Sequence, residues 1–298
     1  MTISILVHST AFAATALLLG ACATTGISAP VTAATASVRT VTFQQVRNAT
    51  IKVEYAGTTF LIDPMLARKG AYPGFEDTYN SHLRNPLVEL PVSAEEVMKA
   101  DAVIVTHTHR DHWDGAAKQG LPKNIPIFAQ NEVDAESIRK DGFTDVRVLT
   151  ENTQFNGTRM SKVEGQHLTE EMKPKLGERF GKASGIVFQR TGYKTVYVAG
   201  DTIWIRQVED AIEKYRPNVI VLNTGYARML GYDGSIIMGK EDLHRAYQLA
   251  PGATVIGSHM ESVNHATQTR QDLLDYVSQK GMDRQRILVP RDGETYRF

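Results

Sequence analysis

Val103-Ile104-Val105-Thr106-His107-Thr108-His109-Arg110-Asp111-His112-Trp113-Asp114-Gly115 decides how this chain is read. The apolar run Ala102 to Val105 has the composition of a strand, and four potential metal ligands begin directly after it. The ligands therefore belong to a loop at the strand's C-terminal edge. Three imidazoles and a carboxylate within six residues make a poor core and a poor solvated face. Imidazole suits zinc, iron or manganese, and Asp111 adds a hard oxygen that can hold a second ion. His107 and His109 alternate and can point to one side of an extended segment. Asp111 and His112 lie around the following turn and can serve a neighbouring position, so two adjacent metals are geometrically natural.

His167, Asp201 and His259 each follow a further strand-like run. Strand ends converge on one edge of a sheet, so loops far apart in sequence can build one site. Alone, His167 or His259 reads as a structural histidine; beside the first cluster, each reads as a ligand.

His107-x-His109-x-Asp111-His112 followed by His167, Asp201 and His259 resembles the metallo-β-lactamase superfamily, from about Thr40 to the C-terminus. Gly57 to Pro64, Asn85-Pro86-Leu87, and Gly257-Ser258-His259 through Asn264-His265 resemble more particularly the hydrolase branch that includes ascorbate-6-phosphate lactonase-like proteins. The resemblance implies an α/β fold, a four-layer αβ/βα sandwich with its site at one edge. It implies two divalent ions, Zn²⁺ ahead of Mn²⁺ or Fe²⁺. The first would lie on His107, His109 and His167, the second on Asp111, His112 and His259, with Asp201 bridging. Such a pair can share a hydroxide and cleave an ester, lactone or phosphoester of a small substrate. Asp111 would also orient the nucleophile, and His265 and Tyr226 are candidates to protonate a leaving group or hold the substrate.

Asp63 and Asp114 are candidate acceptors for the outer ring N–H of a ligand histidine. Arg228 and Lys240 could bind an anionic substrate, although a solvated surface role is the simpler reading. Many zinc β-lactamases carry cysteine where Asp201 falls, so antibiotic hydrolysis is not the leading expectation. The flavodiiron pattern has glutamate where this chain has His109, which favours hydrolysis over redox chemistry. The alternatives are a phosphodiesterase or nuclease on the same fold and a mononuclear iron dioxygenase.

Lys+Arg equals Asp+Glu at 33 each, which argues against a nucleic-acid partner and leaves a small molecule as the expected one. The single cysteine, Cys22, excludes a disulfide framework and a cysteine-rich zinc site. Residues 1–38 contain no Lys, Arg, Asp or Glu, and the apolar stretch Ala11 to Ala21 reads as an export signal. Leu19-Gly20-Ala21-Cys22 resembles a lipobox, so the expected organisation is a lipoprotein signal over 1–22, a tether over 23–39 and one hydrolase domain over 40–298. Ordinary cleavage to a soluble periplasmic protein is the alternative to a lipid-anchored protein of the cell envelope.

Along the domain, strands are expected at Val41 to Val46, Ile51 to Tyr55 and Thr58 to Ile62, and then at intervals between helices to Ile287–Val289. Strands that come first and then alternate with helices in each half suggest two packed sheets with helices outside. Two stretches lack periodicity: Ala67 to Leu90, a candidate substrate-covering flap or a self-packed surface excursion, and Thr169 to Lys182, a second loop near the site.

Overall fold

The computed structural model describes residues 39–298. The expected signal segment and all but the last residue of the expected tether lie outside the described residues. In chain order the first half contains strands β1 (Val41–Arg47), β2 (Thr50–Tyr55) and β3 (Thr58–Ile62), helix α1 (Ala94–Val97), β4 (Ala102–Val105), α2 (Gly115–Gly120), β5 (Ile127–Ala129), α3 (Glu132–Lys140) and β6 (Val146–Val148). The second contains β7 (Thr153–Phe155), β8 (Thr158–Gly165), α4 (Lys173–Phe180), β9 (Ala183–Gln189), β10 (Val196–Val198), α5 (Arg206–Tyr215) and β11 (Val219–Asn223). It continues with α6 (Lys240–Leu249), β12 (Thr254–Ser258), α7 (Arg270–Gln279), β13 (Ile287–Leu288) and β14 (Thr295–Arg297).

Two seven-stranded sheets result, in the orders β14-β1-β2-β3-β4-β5-β6 and β13-β12-β11-β10-β9-β8-β7. In each, antiparallel hairpin strands pass into a parallel run, which begins at β3·β4 in the first and β10·β11 in the second. The expected hairpin of β9 and β10 is present, with Val196 opposite Phe188.

Period-two alternation assigns the layers even where a strand is buried throughout. In β4, Ala102 and Ile104 face the second sheet, whereas Val103 and Val105 face the outer helices. In β11, Val219 and Val221 face inward, and Ile220 and Leu222 pack with α5, α6 and α7. The seam between the sheets is aromatic: Phe60 and Phe188 have ring centroids 5.1 Å apart, and Tyr55 donates its hydroxyl to Lys194 O at 2.9 Å. Helices, sheet, sheet and helices give the four-layer αβ/βα sandwich.

Two stretches read as loops behave differently. Residues 173–180 form α4, whose apolar stripe is only Leu176 and Phe180, half-buried against the cluster of Leu168, Met172 and Ile236, too short a pattern to stand out among its charged residues. Residues 67–90 have no strand or helix, yet they are tightly held. The buried Arg47 guanidinium donates to the carbonyls of Met65, Ala67 and Val88 at 2.6, 2.9 and 3.0 Å, which pins both ends of the loop.

Candidate metal centre

Every residue of the expected ligand set lies just beyond a strand end. His107, His109, Asp111 and His112 follow β4; His167 follows β8, Asp201 follows β10, and His259 follows β12. Backbone N–H groups of His112 and Trp113 both donate to His109 O, closing the turn that brings the His112 ring to 4.0 Å from that of His107. His259 has a left-handed backbone, φ 61°, and its N–H donates to Asn48 O at 3.2 Å. A non-glycine residue held there is costly unless its surroundings over-determine it, as at functional sites.

The side chains meet as two donor groups, one of His107, His109 and His167, the other of Asp111, His112, Asp201 and His259, with ligand atoms within 4.8 Å in each. In the first, Nε2 of His107 faces Nε2 of His167 at 3.2 Å. In the second, Nε2 of His112 lies 3.0 Å from Asp201 Oδ2 and 3.2 Å from His259 Nε2. Asp111 Oδ2 lies 3.4 Å from His259 Nε2.

The outer ring nitrogens settle the tautomers. Asp63 accepts the His112 Nδ1–H at 2.8 Å and is itself fixed by Thr106 N–H and Oγ1–H at 2.8 and 2.7 Å. With its own proton on Asp63, the Thr106 hydroxyl accepts from His107 Nδ1–H at 3.1 Å. Ile236 O accepts from His167 Nδ1–H at 3.2 Å. These bonds leave the Nε2 lone pairs of His107 and His167 pointing into the cluster.

The charge states agree. Burial holds His107 well below the ordinary imidazole value, and the neighbouring His112, His109 and His167 add to the effect. Burial lowers His167 to about 3. Burial opposes charge on Asp111 and Asp201, yet His112 and His259 outweigh it and hold both carboxylates ionised. On His112 burial is likewise outweighed, by Asp201, Asp63 and Asp111, which raise it well above the usual value. With Nδ1–H on Asp63, the single proton at His112 Nε2 can satisfy only one of Asp201, Asp111 and His259 facing it, and none lies between the neutral His107 and His167 rings. Facing lone pairs and ionised carboxylates in a buried pocket are what a cation satisfies, so the donor set fits metal.

The centre opens into a cavity of about 610 Å³ lined by Tyr72, Phe75, Trp113, Phe180, Ile236 and His265 as well as His109, Asp111, His167 and Asp201. Phe180 of α4 packs against His109 and His167 at 5.5 and 5.7 Å, and Phe75 stands edge-on to His265 at 4.9 Å. Burial lowers His265 to about 4, so its ring is neutral near pH 7.

Other expected residues fall elsewhere. Tyr226, a candidate proton donor, packs against Gly239 and lines a separate groove with Lys240, outside the set that lines the cavity. Its φ of 47° and its N–H bond to Met238 O fix its backbone beside Gly239. Asp114 supports no imidazole, because its carboxylate caps α2 through Ala117 N–H and binds the Leu66 and Ala67 N–H groups. Arg228 stacks 4.4 Å from the Tyr79 ring.

Sequence reasoning missed Phe180 and, more consequentially, Asn264. Asn264 Oδ1 accepts from Phe75 N–H at 2.9 Å and Asn85 Nδ2 at 2.7 Å, and its Nδ2 donates to Thr78 Oγ1 and Tyr79 O, both at 2.8 Å. Asn85 Oδ1 accepts from Asn264 N–H at 2.8 Å. The signal was present as two asparagines in Asn85-Pro86-Leu87 and Asn264-His265, but nothing in their spacing pairs them.

Comparison with known proteins gives consistent matches. The Beta-lactamase superfamily domain matches residues 58–260. The UPF0173 protein YddR of Bacillus subtilis is 47% identical over 255 residues, which cover 85% of this chain and 98% of that one. An isothiocyanate hydrolase from Delia radicum gut bacteria superposes with a TM-score of 0.84 at 46% identity, over 86% of this chain and 99% of the other. A possible metal-dependent hydrolase from Veillonella parvula also superposes at 0.84, with 44% identity over 86% of this chain and 98% of the other.

Proposed function

Because this chain belongs to the β-lactamase superfamily and is a metal-dependent hydrolase of the metallo-β-lactamase fold, we propose that it uses two divalent ions to hydrolyse a small, largely apolar electrophile. The observation that carries this reading is the pair of donor groups at the base of an aromatic-walled cavity. His107, His109 and His167 would hold one ion, Asp111, His112 and His259 the other, and Asp201 would serve both. Bound there, such ions, zinc being the first choice, ionise water near neutral pH and neutralise charge developing on the substrate.

The substrate to try first is an isothiocyanate, R–N=C=S. Support comes from the similar isothiocyanate hydrolase and from a cavity wall suited to an uncharged R group. Water adds its oxygen to the central carbon, the C–N bond breaks, and both water protons pass to nitrogen, which releases an amine and carbonyl sulfide. Tyr72, Phe75 and Phe180 would enclose R and exclude bulk water. Neutral His265 would offer an N–H to a substrate heteroatom. Ester and lactone cleavage follow as second choices. A phosphoester keeps one supporting observation: Arg110 lines the cavity, stacked 5.4 Å from the Tyr72 ring.

The test is metal content by mass spectrometry, coupled to a screen of isothiocyanates, lactones, phosphodiesters and β-lactams. Two equivalents of metal and fastest turnover of an isothiocyanate are expected, with activity lost to a chelator and restored by metal. Turnover of phosphodiesters alone, or a single iron per chain, would defeat the proposal.

We also propose export with lipidation at Cys22. Cells labelled with a fatty-acid analogue should yield labelled protein, and Cys22→Ser should abolish the label. Unlabelled protein in the soluble periplasm would point to ordinary signal cleavage.

A further inference from the structure

Three arginines share a groove at the end of the sandwich remote from the metal ligands. The groove has a volume of about 690 Å³, and Arg39, Arg159 and Arg190 line it with Gln154, Gln189 and Thr195 among others. No Asp or Glu lines it. Strand β8 runs for 8 residues from Thr158, beside the groove, to Gly165, just before His167. At about 3.3 Å per residue, groove and ligands are separated by roughly 25 Å.

The guanidiniums are held by neutral partners. Arg39 Nη1 donates to Thr191 O at 3.1 Å, Arg190 Nη1 to Asn156 O at 2.9 Å, and Arg159 Nη2 to Asn152 Oδ1 at 2.8 Å. Arg39 and Arg190 both lie over Tyr193, at 5.6 and 6.0 Å from its centroid. Two glycines admit them. A Cβ on Gly157, φ 75°, would stand 3.3 Å from Arg190 Cζ, and one on Gly192, φ 83°, would stand 3.2 Å from Arg39 Nη1. Each side chain is thus positioned by one or two donors while its charge and remaining donors stay available. Like charges gathered without a carboxylate repel one another, and an anion relieves that repulsion. Guanidinium forks match phosphate oxygens in particular.

We propose that this groove docks onto the phosphate groups of an anionic lipid bilayer. The choice of a lipid phosphate over a free one rests on the export reading. Arg39, which lines the groove, directly follows the uncharged residues 1–38 in sequence. Docking there directs the metal ligands away from the lipid. Each arginine near such a surface contributes about 1 kcal/mol, so loss of all three converts to roughly a hundredfold weaker binding.

The test uses the full chain carrying Cys22→Ser, so that no acyl group contributes, with phosphatidylglycerol and phosphatidylcholine vesicles. Arg39→Gln/Arg159→Gln/Arg190→Gln should bind phosphatidylglycerol vesicles roughly a hundredfold less tightly. Added salt should narrow that difference, and phosphatidylcholine should show none. Arg159→Gln/Arg190→Gln leaves Arg39 untouched and should show an intermediate loss, which keeps the test valid if the triple variant fails to fold. Unchanged metal content checks the distant site. Equal binding by all the chains overturns the proposal. So does binding of inorganic phosphate with no preference for phosphatidylglycerol vesicles, which would make the groove a site for a soluble anion.

Discussion

Asp201→Asn is expected to leave the fold intact while removing about one metal equivalent and most of the hydrolytic activity. The variant keeps Oδ1, which accepts from Asn223 Nδ2 at 2.6 Å, so the side chain stays anchored. The atom that changes is Oδ2, 3.0 Å from His112 Nε2 and 3.6 Å from His259 Nε2. An amide there brings no negative charge between two dications, and its N–H groups face nitrogens that must themselves donate lone pairs. Loss of one preorganised charge of this kind costs on the order of a hundred- to a thousandfold in rate. Metal analysis and initial rates on the same preparation check it. Full activity with both metals retained would remove Asp201 from the centre, and with it the dinuclear proposal.

Asn264→Ala is expected to loosen the cavity roof without touching the ligands. Its side chain is the common partner of Phe75, Thr78, Tyr79 and Asn85. Truncation removes the partner of two donors and two acceptors, a destabilisation of roughly 2–4 kcal/mol overall. Phe75 and its contact with His265 are displaced, so kcat/KM should fall by about ten- to a hundredfold, mostly through KM, while both metals remain bound. Unchanged KM would show that residues 67–90 do not contact substrate. Loss of metal would show that Asn264 supports the centre itself.

The fold and the metal cluster are legible in the sequence for one physical reason. Strands buried on both faces are written as dense apolar runs, and chemistry at their C-terminal ends is written directly after them, as in Val103-Ile104-Val105 before His107. Asp63 could likewise be anticipated, since a ligand imidazole needs an acceptor for its outer N–H. What the sequence conceals depends on contacts between distant segments. Helix α4 escapes notice because its apolar stripe is only Leu176 and Phe180, although Phe180 packs on two ligand rings. Asp114, so near the histidines in sequence, turns out to be a helix cap and loop anchor. Tyr226 sits in a conspicuous Gly-Tyr-Ala-Arg context, but its backbone carries the ring to another groove. The Asn85–Asn264 pair spans 179 positions, and no local pattern encodes it.

The donor groups have a provenance that matters beyond catalysis. His107, His109, Asp111 and His112 come from the half of the chain that builds the first sheet except its edge strand β14, and His167, Asp201 and His259 from the half that builds the second. Neither half owns a complete set. In the proposed loaded state the ions therefore add a clasp to the apolar and hydrogen-bonded contacts between the two halves, and metal supply and mechanical integrity become linked. Wear at the seam, even at Phe60 and Phe188 far from the chemistry, would surface first as poorer metal retention. In surroundings short of metal, the same linkage would shorten the life of the protein as well as idle it.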